Sequence, residues 1–330
     1  MRGKHHVIVE SDALKYEFDI RRNITVIQGD SATGKTTLIE LLSQFALQGK
    51  RSGIRVESDV PCFVYTGNNE YWKAVLQEVE NSLVFIDEDY SFVFTVEFAR
   101  YLQESSNYYI IIIRRPLKNL SYSIREIYGI RTSGRFHFPD QVYHEFYPLY
   151  TVEKDPEEKP EMLLLVENRN AGYQFYQKSL TGIECISANG NSNIFPCLLG
   201  LPRESDILVI ADGASFGAFV DEVVKAASEY ANLGMFFPES FEWMLLKSGL
   251  LEDAKIEDIL KHPEDFIDSS AYVNWERYFT KLLEESTMET PYRRYHKDDL
   301  PDYYTLPRNT KKIFQTMPES LQQSLKKYMS

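Results

Sequence analysis

Little in this chain ties it to a membrane or to an oxidising compartment. It has only three cysteines, Cys62, Cys185 and Cys197, widely scattered and odd in number. That argues against a disulfide framework and against a zinc site, and it suits a reducing, cytoplasmic setting. No apolar run approaches the roughly 20 residues that a bilayer crossing needs, and the opening "MRGKHHVIVE" lacks the apolar core of a secretory signal. Positive charge is also scarce. The formal net charge is -13, so the whole molecule repels polyphosphate backbones, and contact with nucleic acid would need a local basic patch or a partner subunit. The histidines (His5, His6, His137, His144, His262 and His296) are scattered and none sits in a nucleophile motif, which leaves no histidine-based catalytic set. There is no internal repeat and no low-complexity tract.

What is present reads as two α/β modules. At 330 residues the chain is long enough for two domains, each with its own core. Tyrosine and phenylalanine are abundant and read as packing residues. The first half alternates: strands "KYEFDI" and "NITVIQG", helix "GKTTLIELLSQFALQG", strand "PCFVYTG", and a helix "NEYWKAVLQEVENS" with Trp72, Val75, Leu76 and Val79 on one face. Strand "SLVFIDE", helix "TVEFARYLQES" and strand "YYIIIIRRP" follow. The unbroken run Ile110 to Ile113 belongs to a strand covered on both faces, as in a parallel sheet, so a three-layer domain is expected. The segments "IREIYGIRTSGRFHF" and "QVYHEFYPLY" predict an antiparallel hairpin turning at "TSGR".

A polar, charged segment with two prolines, "TVEKDPEEKPEM", marks a linker over residues 152–161. It divides a first domain, 1–151, from a second, 162–250, in which strands "MLLLVEN", "IECISANG", "DILVIADG" and "LGMFFPESF" alternate with helices. Residues 251–330 read as an acidic helical extension ending in the amphipathic "SLQQSLKKYM". Within it "YRRYHK", Tyr292 to Lys297, is the one basic patch interleaved with aromatics. Such a patch can stack on bases, but it is read in preference as an exposed surface segment.

The motif with the most chemical content is Gly29-Asp30-Ser31-Ala32-Thr33-Gly34-Lys35-Thr36-Thr37. It fits G-x-x-x-x-G-K-[ST], with a strand before it and a helix after it. The glycines free the backbone to turn its N–H groups inward as an anion nest, and the helix N-terminus adds its dipole. Lys35 is placed to reach the β- and γ-phosphates of ATP, and the Thr36 hydroxyl to ligate Mg²⁺. Asp87, closing the apolar "LVFID", is expected at the same sheet edge as the metal-side carboxylate. Glu88 is the candidate for polarising the attacking water, and Asp89 reads as surface. Arg114 and Arg115 end the next buried strand. One of them could sense the γ-phosphate or stabilise transition-state charge; alternatively both simply pair with surface carboxylates.

The stretch "FDIRRNITVIQGDSATGKTTLIELL" resembles the ATPase head of the ABC and overcoming-lysogenization-defect type, over about residues 16–116. That resemblance implies ATP hydrolysis with Mg²⁺, in a homo-oligomer or a larger complex, with a setting in phage defence or mobile elements. It is incomplete. No LSGGQ-like signature stands between Gly34 and Asp87, and Arg114 follows the "IIII" strand where that pattern has histidine. Head-to-head dimerisation of the ABC kind is therefore not implied.

In the second half Glu167 ends one apolar strand and Asp212 another, with the glycine turn "SANGNSN" between them. Two acids at neighbouring strand ends can share one Mg²⁺. The order resembles the Toprim fold of topoisomerases, primases and related nucleases over roughly residues 161–246, which implies metal-assisted phosphodiester chemistry. Ala214 stands where that family has its second aspartate, Asn168 where it has glycine, and Ala171 where a further acid often sits; Glu239 and Glu242 are nearby substitutes. The sequence thus leads to an ATPase whose nucleotide state controls a Toprim-like domain. The alternatives are an ATP-gated nuclease and a P-loop kinase of a small molecule or nucleotide.

Overall fold

The computed structural model describes residues 1–29, 34–137, 141–150, 153–154 and 162–329. The chain divides into two compact units. One is built from Met1–Tyr150 and His262–Asn274, the other from Thr151–Lys261 and Trp275–Ser330. Among the described residues no helix is long and apolar enough to cross a membrane.

The first unit is a nine-stranded mixed sheet. In chain order its strands are β1 (His5–Glu10), β2 (Leu14–Ile20), β3 (Ile24–Gln28), β4 (Arg55–Glu57), β5 (Cys62–Val64), β6 (Leu83–Ile86), β7 (Tyr108–Ile113), β8 (Ile127–His137) and β9 (Gln141–Pro148). Across the sheet they run β4-β1-β2-β9-β8-β3-β7-β6-β5. The half from β8 through β3, β7 and β6 to β5 is parallel throughout. All six residues of β7 are buried, as its unbroken apolar run requires of a strand covered on both faces. Helix α1 (Lys35–Gln48) lays Leu38, Ile39 and Leu42 on the sheet, into a core with Val9, Phe18, Phe85 and Ile110. The i, i+4 spacing of Leu38 and Leu42 makes that one face. The helix stops at Gly49, whose N–H bonds the Phe45 carbonyl.

Two expectations here need correction. The helix predicted over "NEYWKAVLQEVENS" is only α2 (Trp72–Leu76). Beyond it the hydrogen bonds tighten to i→i−3, Glu78 to Val75 and Val79 to Leu76. The Asn107 side chain donates to the Val79 carbonyl at 2.6 Å and accepts from Ser82 N–H at 3.0 Å, so a side chain distant in sequence takes up backbone groups a longer helix would use. The hairpin β8–β9 exists, but "TSGR" is not its turn. Thr132 to Arg135 lies inside β8, at a register shift between Thr132 and Phe136, and the pairing with β9 continues to His137 and Gln141. The unit is completed by α3 (Val96–Leu102) and by residues 262–274, where Asn23 donates to the Val273 carbonyl at 2.7 Å and Gly3 N–H bonds Glu264 O at 2.9 Å.

The second unit is a five-stranded sheet in the order β10-β14-β13-β11-β12, from β10 (Glu153–Lys154), β11 (Met162–Val166), β12 (Glu184–Ser187), β13 (Asp206–Ile210) and β14 (Asn232–Phe236). The last four are mutually parallel, and β10 pairs antiparallel with β14. Two residues of the predicted linker therefore belong to this sheet. Its helices are α4 (Ala171–Ser179), α5 (Ile194–Leu199), α6 (Val220–Ala226), α7 (Phe241–Lys247), α8 (Ala254–Lys261), α9 (Trp275–Thr287), α10 (Pro307–Phe314) and α11 (Glu319–Leu325). The helices expected as a separate extension are part of this unit, while residues 262–274 belong to the other. Helix α9 turns Trp275, Phe279, Leu283 and Thr287 inward at i, i+4 spacing and packs on α7. Thr181 N–H bonds the Tyr328 carbonyl at 2.7 Å, so the tail is tied to the unit.

One tight approach in this unit yields a prediction. A Cβ on Gly213 would stand 2.7 Å from the Phe237 carbonyl oxygen and 2.8 Å from that of Pro238. Both are backbone atoms that no rotamer change can move. Gly213→Ala is expected to destabilise the second unit by roughly 3 kcal/mol, the upper part of the overpacking range. The check is the urea midpoint followed by fluorescence of Trp243 and Trp275.

Candidate functional site

Three strand ends of the first unit bring the chemistry to one edge. Strand β3 leads through Gly29 toward α1, β6 ends at Asp87 and Glu88, and β7, which separates them, ends at Arg114. With strands about 4.8 Å apart, the ends of β3 and β6 are about 10 Å from each other, with the end of β7 between. Gly34, immediately before α1, has φ +95°, and a Cβ there would meet the Tyr16 hydroxyl at 2.9 Å. Conformation and crowding both demand glycine. Lys35 is buried at the helix start, and its Nζ donates to the Gly29 carbonyl at 2.7 Å. Thr36 is exposed in the first turn and Thr37 partly buried. Asp30, Ser31, Ala32 and Thr33 lie outside the described residues.

Asp87 accepts the Glu88 N–H at 2.8 Å. Burial pushes its carboxyl above the usual range, with Asp89, Glu88 and Glu40 adding repulsion. An acid crowded by acids is a hard-oxygen donor that a divalent cation would relieve. Glu88 is held otherwise. Arg114 donates from Nε to Glu88 Oε2 at 2.7 Å and from its second nitrogen to Oε1, a two-pronged pair. That pair holds the Glu88 carboxyl below its usual range, against the opposing cost of burial. Arg115 does something else: its guanidinium lies 4.1 Å from the Phe94 ring centroid. The two arginines, open alternatives from sequence, have different surroundings, and Asp89 is exposed as expected.

Two neighbours of this edge were not legible in the sequence. Tyr16 donates from its hydroxyl to the Gly34 carbonyl at 3.0 Å, and His144 stacks on Tyr16 with ring centroids 4.7 Å apart. The register that pairs Tyr16 with His144 across β2 and β9 sets them side by side, and no local pattern signals it.

The second unit gathers an acidic centre. From β11 the chain passes to β12 on one side and then to β13 on the other, so the crevice between β11 and β13 is a topological switch point, where open α/β sheets place their ligands. Glu167 and Asp212 stand there. Glu167 N–H continues the ladder to the Ile210 carbonyl at 3.1 Å, and its Oε2 accepts the Asp212 N–H at 3.0 Å. Asp212 Oδ1 accepts the Phe241 N–H at 3.1 Å. Ala171 and Ala214, at positions expected to differ from the Toprim pattern, are both buried methyl groups, 1% and 2% exposed. Of the substitute acids, Glu242 joins the group: Tyr295 donates to its Oε1 at 2.7 Å, and its Oε2 is buried without a hydrogen-bond partner.

The cation facing these acids is Lys297. Its Nζ is 2.5 Å from Glu276 Oε1 and 4.0 Å from Glu242 Oε1. Attraction to Glu242, Glu276 and Asp212 raises its pKa, overriding the opposing effect of burial. Burial, with Glu276 and Glu242 adding repulsion, pushes the Glu167 carboxyl up to about 7, and burial with Glu276, Glu167 and Glu242 raises Asp212 well above the carboxylate range. Glu167, Asp212, Glu242 and Lys297 border a cavity of about 30 Å³, room for a water or two. Among the described residues, no group of three or more histidines, cysteines, aspartates or glutamates is placed to hold a metal ion. The patch "YRRYHK" is corrected accordingly. Tyr292 is exposed, but Tyr295 is buried and Lys297 is turned into the acidic centre.

Compared with protein-family models, with curated proteins and with solved structures, the chain matches none.

Proposed function

We propose that the first unit binds ATP with Mg²⁺ and hydrolyses its terminal phosphoanhydride. The observation that carries this reading is the meeting, at one edge of a parallel sheet, of the Gly34–Lys35 helix start, the Asp87–Glu88 strand end and Arg114. Gly34 and the start of α1 offer backbone N–H groups to the phosphates, and Lys35 contributes the charge that draws the β- and γ-phosphates in. Mg²⁺, held by Thr36 and Asp87, would neutralise developing charge on the phosphate oxygens. Glu88 orients and polarises the attacking water. Arg114, exposed at the end of β7 and paired with Glu88, supplies positive charge for the γ-phosphate.

Incubation with Mg·ATP tests this. Phosphate release without any added acceptor is expected, and turnover only when an acceptor is supplied would replace hydrolysis by kinase chemistry. Calorimetry gives an independent check. Lys35→Ala should weaken Mg·ATP binding at least ~100-fold, since it removes a charge-assisted contact to phosphate from a buried position. Unchanged affinity would reject the site.

A further inference from the structure

The helix start that carries Lys35 rests on two rings from strands of the same unit. Tyr16, on β2, donates its hydroxyl to the Gly34 carbonyl at 3.0 Å, and the same carbonyl accepts the Leu38 N–H of α1, also at 3.0 Å. The Thr37 side chain is a further hydrogen-bond neighbour of that hydroxyl. His144, on β9, stacks flat on Tyr16, with ring centroids 4.7 Å apart and planes 12° from parallel. Its Cε1 and Nδ1 lie 3.4 Å from where a Gly34 Cβ would stand. We propose that Tyr16 is a positioning residue of the phosphate site: its hydroxyl, backed by the His144 ring, holds the Gly34–Lys35 peptide so that the Lys35 N–H is offered to the phosphates. The inference rests on the ATP reading.

A trans peptide is planar, and its C=O and N–H point opposite ways. Anchoring the Gly34 carbonyl therefore aims the Lys35 N–H, one of the helix-start donors available to an anion. Glycine at φ +95° has the freedom to turn this peptide over, and the phenol removes that freedom. Burial pushes the Tyr16 hydroxyl up to about 12, so it stays a protonated donor at neutral pH. Tyr16 is wholly buried, so it offers no face to a nucleotide base. Among the described residues His144 Nδ1 is buried with no hydrogen-bond partner. That nitrogen adds no bond, and the ring serves by its flat face.

Calorimetry with two ligands tests this: Mg·ATP, and Mg²⁺ with inorganic tripolyphosphate, which has the phosphates without the base. Tyr16→Phe keeps the ring and removes the hydroxyl. It should weaken both ligands alike, by ~5-fold, the net worth of one hydrogen bond. A purely structural hydroxyl would lower the fraction of competent chain, read as stoichiometry, and leave the Kd alone; that result overturns the proposal. A loss with Mg·ATP only would also overturn it, because the two rings would then serve the base. His144→Ala should weaken both ligands by ~2- to 5-fold, the lower part of the range for a stacked ring pair. His144→Phe, which keeps a flat ring and drops both nitrogens, should restore affinity to within about twofold. A loss as large as that of His144→Ala would overturn the backing role of the ring. Lys35→Ala separates this proposal from the reading beneath it. If Lys35→Ala loses affinity and Tyr16→Phe does not, only the role of Tyr16 fails; if Lys35→Ala loses nothing, the ATP site fails and the role of Tyr16 with it.

Discussion

Replacing Glu88 by glutamine is expected to slow phosphate release from Mg·ATP by about 10²- to 10⁴-fold, the range for losing a positioned general base, while Mg·ATP binding stays within a few-fold of the original. Glutamine keeps the length and one acceptor oxygen but cannot take a proton at neutral pH. A drop in kcat with little change in KM is the signature of an interaction made in the transition state. The Glu88–Arg114 pair adds a further expectation. Because Arg114 donates to both Glu88 oxygens and lowers that carboxyl's pKa, it holds the Glu88 carboxyl in place. Arg114→Ala then removes both a restraint and a charge near the γ-phosphate, and the double variant should lose far less than the product of the single losses. If Glu88→Gln hydrolyses ATP at the original rate, Glu88 is a strand-end acid paired with an arginine, and the proposed mechanism fails.

The second large effect concerns pH. Burial and the neighbouring acids raise Glu167 from its ordinary value to about 7 in the folded chain, and raise Asp212 too. A carboxyl raised on folding binds its proton more tightly in the native state, so its contribution is full below the unfolded value of 4.5 and is lost as pH rises through about 7. For Glu167 this loss is about 3 kcal/mol, and Asp212, raised by burial and the neighbouring acids, adds to it in the same direction. The second unit should therefore be more stable in urea at pH 5 than at pH 8. Glu167→Gln keeps an acceptor for the Asp212 N–H without the titration, and should shrink the pH difference by roughly that amount. An unaltered difference, followed through Trp243 and Trp275, would mean that Glu167 titrates near its ordinary value and that the centre is wetter than its burial implies.

Much of the architecture was legible because it is encoded locally. The six apolar residues of β7 cannot face water on either side, and Gly34, just before α1, takes a positive φ that favours glycine. The same reasoning placed Asp87 and Glu88 at a strand end, and Glu167 and Asp212 at two others, and each stands where it was expected. Errors arose where distant groups compete for local ones. The tail of the predicted helix after Leu76 unwinds because Asn107, on the other side of β6 in sequence, takes the Val79 carbonyl. Glycine and serine in "TSGR" favour a turn, yet the pairing of β8 with β9 continues past it with a register shift. A charged, proline-containing segment looked like a linker, but two of its residues find an open edge on β14.

The sequence alone determined that a glycine-rich segment matching a phosphate-binding pattern is followed by an acid-bearing strand end, and that two further acids end strands of a second module. Those features depend on residues close together in the chain, whose geometry backbone sterics and apolar periodicity dictate. Only the tertiary structure decided that Arg114, not Arg115, grips Glu88, that Tyr16 and His144 stack beside Gly34, and that Lys297 pairs with Glu276 beside the acids of the switch point. Those pairings join elements separated by tens of residues or more. Charge in a buried centre is balanced by whatever side chain the fold brings within a few ångströms, and spacing along the chain does not record that distance.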